Sequence, residues 1–162
     1  HQGMFDVLAI AATCEPPLGT VLKKELKDVP FLKQIIACTH SYPMDREDVR
    51  QSMQVILEMT KQVKEGRNFV IFAEGTRSKN GNKLLEFKGG SFKAAMKAKC
   101  PIVPVALIDS FKPFDTKSLE KVTVQVHILE PLLYDEYKNM KTTEISEEVK
   151  RRIVEKIECQ KK

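Results

Sequence analysis

No apolar run in this sequence is long enough to cross a bilayer: the longest, Val7 to Cys14, has about eight residues against the roughly 18 to 20 of a spanning helix. The four cysteines, Cys14, Cys38, Cys100 and Cys159, lie far apart and form no CxxC pair. That spacing argues against a zinc site and a compact disulfide framework, and fits thiols kept reduced. A phosphate-binding P-loop is also missing. Gly75 and Gly81 are separated by five residues where GxxxxGK[ST] allows four, and Asn82 stands between Gly81 and Lys83. Gly90-Ser91-Phe92-Lys93 lacks the second glycine of a GxSxG nucleophile elbow, and no HExxH occurs, so the commonest hydrolase signatures are excluded. No repeat, low-complexity tract or linker interrupts the chain.

What is present is ordinary soluble composition, 42% hydrophobic and 30% charged over 162 residues, enough for one domain with a proper core. We therefore expect a single domain over residues 1–162. The net charge of +5 is unevenly spread: Arg77 to Lys99 holds seven basic residues and one acid, Glu86. This is either a solvated lysine face or a surface turned toward something anionic, such as phosphate, a membrane surface or nucleic acid. Nucleic acid is disfavoured, because the lysines do not come with the interleaved aromatics that stack bases. The chain starts at His1 and not at methionine, so a piece of a longer protein is expected.

Periodicity gives the fold class. Asp6 to Thr13 reads as a short, largely buried helix ended by Glu15-Pro16-Pro17, Gly19 to Leu22 as a strand, Phe31 to Ala37 as a helix opened by Pro30, and Ser41 to Met44 as a strand. Val49, Met53, Ile56, Thr60 and Val63 recur at three and four, predicting an amphipathic helix from Glu47 to Lys64 that Gly66 closes. Asn68 to Phe72 and Ile102 to Ile108 read as buried strands, Ser91 to Ala98 as a helix, and Val122 to Ile128 as an alternating strand. Ile145, Val149, Ile153 and Ile157 mark a last helix, with Glu144, Glu147 and Glu148 near the positive end of its dipole. Alternating strands and helices predict an α/β domain with a mixed, largely parallel sheet flanked by helices.

In such sheets ligands gather at the carboxyl ends of strands, which is where Phe72-Ala73-Glu74-Gly75-Thr76-Arg77-Ser78 falls. Arg77 offers a planar fork of donors suited to phosphate, Gly75 lets the backbone approach closely, and Glu74 can hold the guanidinium or neighbouring amides. A salt-bridged turn is the plainer alternative. His1 and Asp6 have the spacing HxxxxD. On one helix they would point roughly 140° apart, so they meet only if His1 sits in a loop before the helix that Asp6 begins. Asp6 would then hold one ring nitrogen while the other faces a substrate, and an imidazole with an ordinary pKa near 6.5 is a suitable general base.

The order of blocks is more specific than any one of them. His1-Gln2-Gly3-Met4-Phe5-Asp6, Phe72 to Ser78, Phe87-Lys88-Gly89-Gly90 and Ile102-Val103-Pro104-Val105 together resemble the lysophosphatidic acid acyltransferase family of glycerolipid synthesis. Lys23 to Pro30 also fits the pattern KxxLxxxP, with Lys23 as its lysine, and Met44-Asp45-Arg46 looks like the family's I-D-R segment. The resemblance implies a glycerol-3-phosphate acyltransferase-like fold and transfer of an acyl group from acyl-CoA or acyl carrier protein to the free hydroxyl of 1-acyl-glycerol-3-phosphate, giving phosphatidic acid. It implies His1 as base, Asp6 as its orienting carboxylate, and Arg77 and Lys23 at the acceptor phosphate, with Glu74, Gly75 and Thr76 completing the substrate loop. It implies no metal or other cofactor, work at the cytoplasmic face of a membrane, and an N-terminal membrane-associating part outside this chain. A thiolate is a good leaving group, so activating the hydroxyl, positioning both substrates and stabilising the oxyanion suffice, without an acyl-enzyme.

Two departures from the family pattern stand out, Ala73 where proline is usual and Lys33 where glycine is usual. Pro104 inside an apolar run breaks a rule of sheets, which confine proline to edges and bulges. A related enzyme with another lysolipid or aminoacyl-lipid acceptor, and a non-catalytic domain that binds anionic lipid, are the competing readings.

Overall fold

The computed structural model of the chain describes residues 1–14, 17–30, 32–45, 47–116 and 120–160. Its elements, in chain order, are α1 (Phe5–Thr13), β1 (Leu18–Lys23), α2 (Leu32–Thr39), β2 (Tyr42–Met44), α3 (Val49–Lys64), β3 (Asn68–Val70), α4 (Lys93–Ala98), β4 (Val105–Ile108), α5 (Lys112–Asp115), β5 (Gln125–Ile128), α6 (Tyr134–Tyr137) and α7 (Thr142–Cys159). Single 3-10 turns occupy Lys24–Asp28 and Gly89–Phe92. This is the expected α/β fold with mixed strand pairing. Three expected features, the prolyl stop at Pro16, the helix start at Phe31 and Arg46 of the I-D-R-like segment, lie outside the described residues. The elements group into two compact units, residues 16–71 with 93–100, and residues 1–15, 72–92 and 101–162.

In the first of these units β1 is the centre of a parallel sheet of order β2-β1-β3, with Val21 opposite Tyr42 and Thr20 opposite Val70. Gly19 is required there: a Cβ at this position would lie 2.5 Å from the Phe69 ring. α3 starts where Asp48 accepts the amides of Arg50 and Gln51 at 2.9 and 3.0 Å. It stops at Gly66, whose φ of 91° suits glycine, with Gly66 N–H bonding Val63 O and Arg67 N–H bonding Gln62 O. Val55 and Met59 of α3 pack with Ala94 of α4 and partly buried Phe69 and Ile71. The buried stripe is therefore not the predicted one at its start. Val49 is the first helical residue and 77% exposed, and Met53 lies at the margin of the stripe. β3 ends at Val70, two residues short of expectation, and is half-buried because it pairs only with β1.

The second unit is built on β4 and β5, antiparallel with Val105 opposite Ile128 and Ile108 opposite Gln125. α7 lays Ile145, Val149, Ile153 and Ile157 on this unit's core, β4 included; at a spacing of four they share one buried face. Each contributes roughly 1.5–3 kcal/mol by leaving water. Pro104 is fully buried but precedes the β4 ladder, so its missing N–H costs no strand hydrogen bond, while its carbonyl accepts from Leu129 N–H at 3.0 Å. That shortens the strand expected from Ile102. Gly89 lies against Thr142, where a Cβ would meet Thr142 Oγ1 at 3.0 Å, so Gly89 serves close packing at the start of α7, while a Cβ at Gly90 would meet open space. α1 is half-buried and not largely buried: Ala9 and Ile10 face inward, Val7 and Leu8 outward. Cys14, Cys38, Cys100 and Cys159 form no disulfide with one another. Among the described residues no helix is long and apolar enough to cross a membrane.

Candidate active site

Asp6 stands in the first turn of α1 and is fully buried, a position no isolated carboxylate tolerates. Four donors compensate it. Oδ2 accepts His1 Nδ1 at 2.6 Å and the Gln2 N–H at 2.6 Å; Oδ1 accepts the Gly3 N–H at 3.0 Å and the Ser110 hydroxyl at 2.6 Å. Three residues before the helix, His1, Gln2 and Gly3, thus wrap around its first acid, and His1 meets Asp6 from a loop, as the spacing requires. With Nδ1 committed to the carboxylate, Nε2 of His1 has no partner among the described residues. The ring stacks on Phe72, centroids 4.1 Å apart, which fixes its plane.

The 72–78 loop is tied to the same histidine. The main-chain nitrogen of His1 donates to Glu74 Oε1, and its carbonyl accepts Ser78 N–H at 2.7 Å. Glu74 is buried, and its other oxygen takes the Leu85 N–H at 2.8 Å. Of the two roles open to Glu74 in the sequence, the structure shows the one toward neighbouring amides, not toward the guanidinium. Gly75 has φ 71°, and a Cβ there would lie 3.1–3.2 Å from the end of the Lys88 side chain. Thr76 and Arg77 are exposed, and Arg77 has no hydrogen bond or ion pair among the described residues. A guanidinium on a braced, exposed loop is a planar donor fork of the kind that suits an anion.

A polar network fastens the site from behind. Gln2 Nε2 donates to Asn82 Oδ1 at 2.8 Å and to Leu107 O at 2.9 Å. Asn82 Oδ1 also accepts the Asp109 N–H at 2.8 Å, and Asn82 Nδ2 donates to Asp109 Oδ1 at 3.0 Å. Burial pushes the Asp109 carboxyl up, but hydrogen bonds from Lys112 and Asn82 outweigh it and leave it below the usual carboxylate range. Gln2 and Ser78 lie inside the two quoted blocks without an expected role, and Asn82 and Ser110 were not expected at the site. Their partners lie as far as 104 residues away, and no local pattern marks them.

Lys23 is the last residue of β1, exposed, and belongs to the other compact unit. A mainly apolar groove of about 560 Å³ lies along α1, lined by Phe5, Leu8 and Ala12 and by Val122, Val124 and Val126, with Lys112 and Glu120 also on its wall. The three valines alternate, so they share one face of the extended segment that leads into β5. Phe5 adjoins Asp6 in the chain.

Comparison with known proteins agrees with this geometry. Residues 1–108 match a family model described as acyltransferase. The chain is 33% identical over 129 residues to a 1-acyl-sn-glycerol-3-phosphate acyltransferase of Helicobacter pylori, covering 80% of this chain and 54% of that protein. It is 33% identical over 138 residues to the enzyme of the same name from Escherichia coli, covering 85% and 56%. The chain thus spans about half the length of the curated relatives it matches. The crystal structure of a 1-acyl-sn-glycerophosphate (LPA) acyltransferase from Thermotoga maritima superposes with a TM-score of 0.79 at 24% identity, over 99% of this chain and 64% of that one, so the fold is shared.

Proposed function

Because this chain belongs to the acyltransferase family, we propose that it carries the catalytic site for transfer of an acyl group from a thioester, on coenzyme A or acyl carrier protein, to the free hydroxyl of 1-acyl-glycerol-3-phosphate. The observation that carries this reading is the His1–Asp6 pair with its open Nε2, on a loop hydrogen-bonded to the residue after Arg77.

Nε2 takes the proton of the acceptor hydroxyl as its oxygen attacks the thioester carbonyl. Asp6 keeps the other ring proton on Nδ1 and faces the imidazolium that forms. The tetrahedral oxyanion collapses, the carbon–sulfur bond breaks, and the thiolate leaves with the proton held by His1, so the ring returns to its starting state. Arg77 takes the acceptor's phosphate bidentately, which orients the hydroxyl over Nε2. Thr76 lies beside Arg77 on the substrate loop. Glu74 and Gly75 shape that loop, one through backbone amides and the other through its left-handed turn. The apolar groove along α1 receives an acyl chain. The reaction proceeds in a ternary complex at a membrane surface, on its cytoplasmic side, where both the lysolipid and its product reside.

The test is release of free thiol from acyl donors by the purified protein. Thiol release that requires 1-acyl-glycerol-3-phosphate, with phosphatidic acid as product, is the expected outcome. Release only with another lysolipid would reassign the acceptor, and binding to anionic vesicles with no thiol release under any acceptor would replace the enzyme reading by a lipid-binding one.

A further inference from the structure

Ser110 is the polar contact to the dyad that comes from furthest along the chain. It is fully buried, and its hydroxyl donates to Asp6 Oδ1 at 2.6 Å across 104 residues. The family match ends at residue 108, so Ser110 lies just past it. The other donors to Asp6 come from the three residues at the start of the chain. Without Ser110, Oδ1 would keep only the Gly3 N–H at 3.0 Å, while Oδ2 keeps two contacts at 2.6 Å.

We infer that Ser110 is a positioning residue of the proposed acyl-transfer site, a third member of a Ser–Asp–His relay that locks the carboxylate in the one rotation that aims Oδ2 at His1 Nδ1. The inference rests on the reading of His1 as the base. A carboxylate has about four lone-pair directions, and here all four receive a donor. Three of those donors belong to the stretch before α1, which Gln2 ties to Leu107 O at 2.9 Å and the His1 carbonyl to Ser78 N–H; Ser110 is the donor that reaches the carboxylate itself from beyond that stretch. Ser110 belongs to the turn after β4, which is paired and packed on α7. It therefore references the dyad to the core of the unit.

The turn is built to hold that hydroxyl. Asp109, the residue before it, has φ 62°, a left-handed conformation costly for a non-glycine residue. It is held from both sides: Asn82 bonds its main-chain N–H and its Oδ1, and Lys112 Nζ bonds its Oδ2 at 2.8 Å. Asn82 in turn accepts from Gln2, the residue between His1 and Gly3. The strained turn and the network around it place Ser110 and Gln2 in register, which a purely space-filling serine would not need.

The test compares Ser110→Ala and Ser110→Cys with the active parent. Cysteine fills the volume that alanine vacates but is a weak donor, so the pair separates lost packing from a lost hydrogen bond. For both variants we expect kcat to fall by about 10-fold or more, the scale of one hydrogen bond to a charged group, with KM for donor and acceptor within about 2-fold. We also expect the acid limb of the kcat profile to move to higher pH, since a carboxylate with one donor fewer favours the protonated ring facing it. The other charged groups near the dyad, Glu74 at the His1 main-chain nitrogen and Asp115 beside Gly3, are unchanged in these variants. Parent-like kcat and acid limb in either variant would overturn the inference, as would a cysteine variant that restores what alanine loses. A parent with no thioester turnover would instead overturn the function proposed above.

Discussion

Ser78 donates its main-chain N–H to the carbonyl of His1 at 2.7 Å. One residue before it stands Arg77, so the backbone that carries the proposed phosphate ligand is hydrogen-bonded to the residue proposed as base. Within the 72–78 segment Glu74 takes the His1 main-chain nitrogen and the Leu85 amide, while Arg77 is exposed.

Substitution of Asp6 by Asn keeps the size of the side chain but removes the charge that the Nδ1 proton faces. Turnover should fall by about 10²- to 10⁴-fold, the usual contribution of an oriented base, with little change in KM for either substrate. His1→Ala should lose at least as much. Steady-state kinetics with thiol detection measure both, and unimpaired turnover in either would remove the mechanism.

Arg77→Ala should raise KM for the phosphorylated acceptor by about 10- to 100-fold, the scale of a charge-assisted contact, and leave KM for the donor unchanged. Arg77→Lys should recover only part of that, because an ammonium has no planar fork. An unchanged acceptor KM would take Arg77 out of the site.

Glu74→Ala strands the partly buried amide of Leu85 and releases His1, at a cost of about 1–3 kcal/mol, read as a lower Tm. Gly75→Ala, which forces a Cβ into a left-handed turn and against Lys88, should cost about 1–2 kcal/mol. Both should also lower kcat, since the loop that carries Arg77 would shift. Parent-like stability and activity would mean that the loop is not braced as described.

Val124→Trp fills the groove along α1 and should shift donor preference toward shorter acyl chains while leaving the Tm within a few degrees. Competition between short- and long-chain thioesters reads this out directly. An unaltered preference would place the chain elsewhere.

On α7, bidentate hydrogen bonding from Arg151, then bonding from Arg152, pulls the Glu148 carboxyl down to about 2. A depressed folded-state value means stabilisation that is fully present above the ordinary 4.5 and lost as pH falls from there through about 2. The pair is partly solvated, so we expect no more than about 1 kcal/mol at neutral pH. Glu148→Gln should be less stable than the parent at pH 7 and match it near pH 2 in denaturant titrations.

Much of this was readable from residue order. The Ile145 to Ile157 stripe, the Gly66 boundary of α3 and the HxxxxD geometry all depend on neighbours within one or two helical turns, where spacing dictates which side chains can meet. Boundaries slipped where pairing and packing decide them: β4 begins after Pro104, and α3 partly buries the side of its first turn that carries Gln51 and Ser52 while leaving Val49 77% exposed. The supports of the site were silent for a different reason. Ser110, Asn82 and Leu85 reach Asp6, Gln2 and Glu74 through contacts from 11 to 104 residues long, and such contacts exist only once the chain has closed on itself. The local pattern named the reacting groups; the fold supplied the donors that aim them, because a buried carboxylate takes its partners from whatever strand or turn the core brings within about 3 Å.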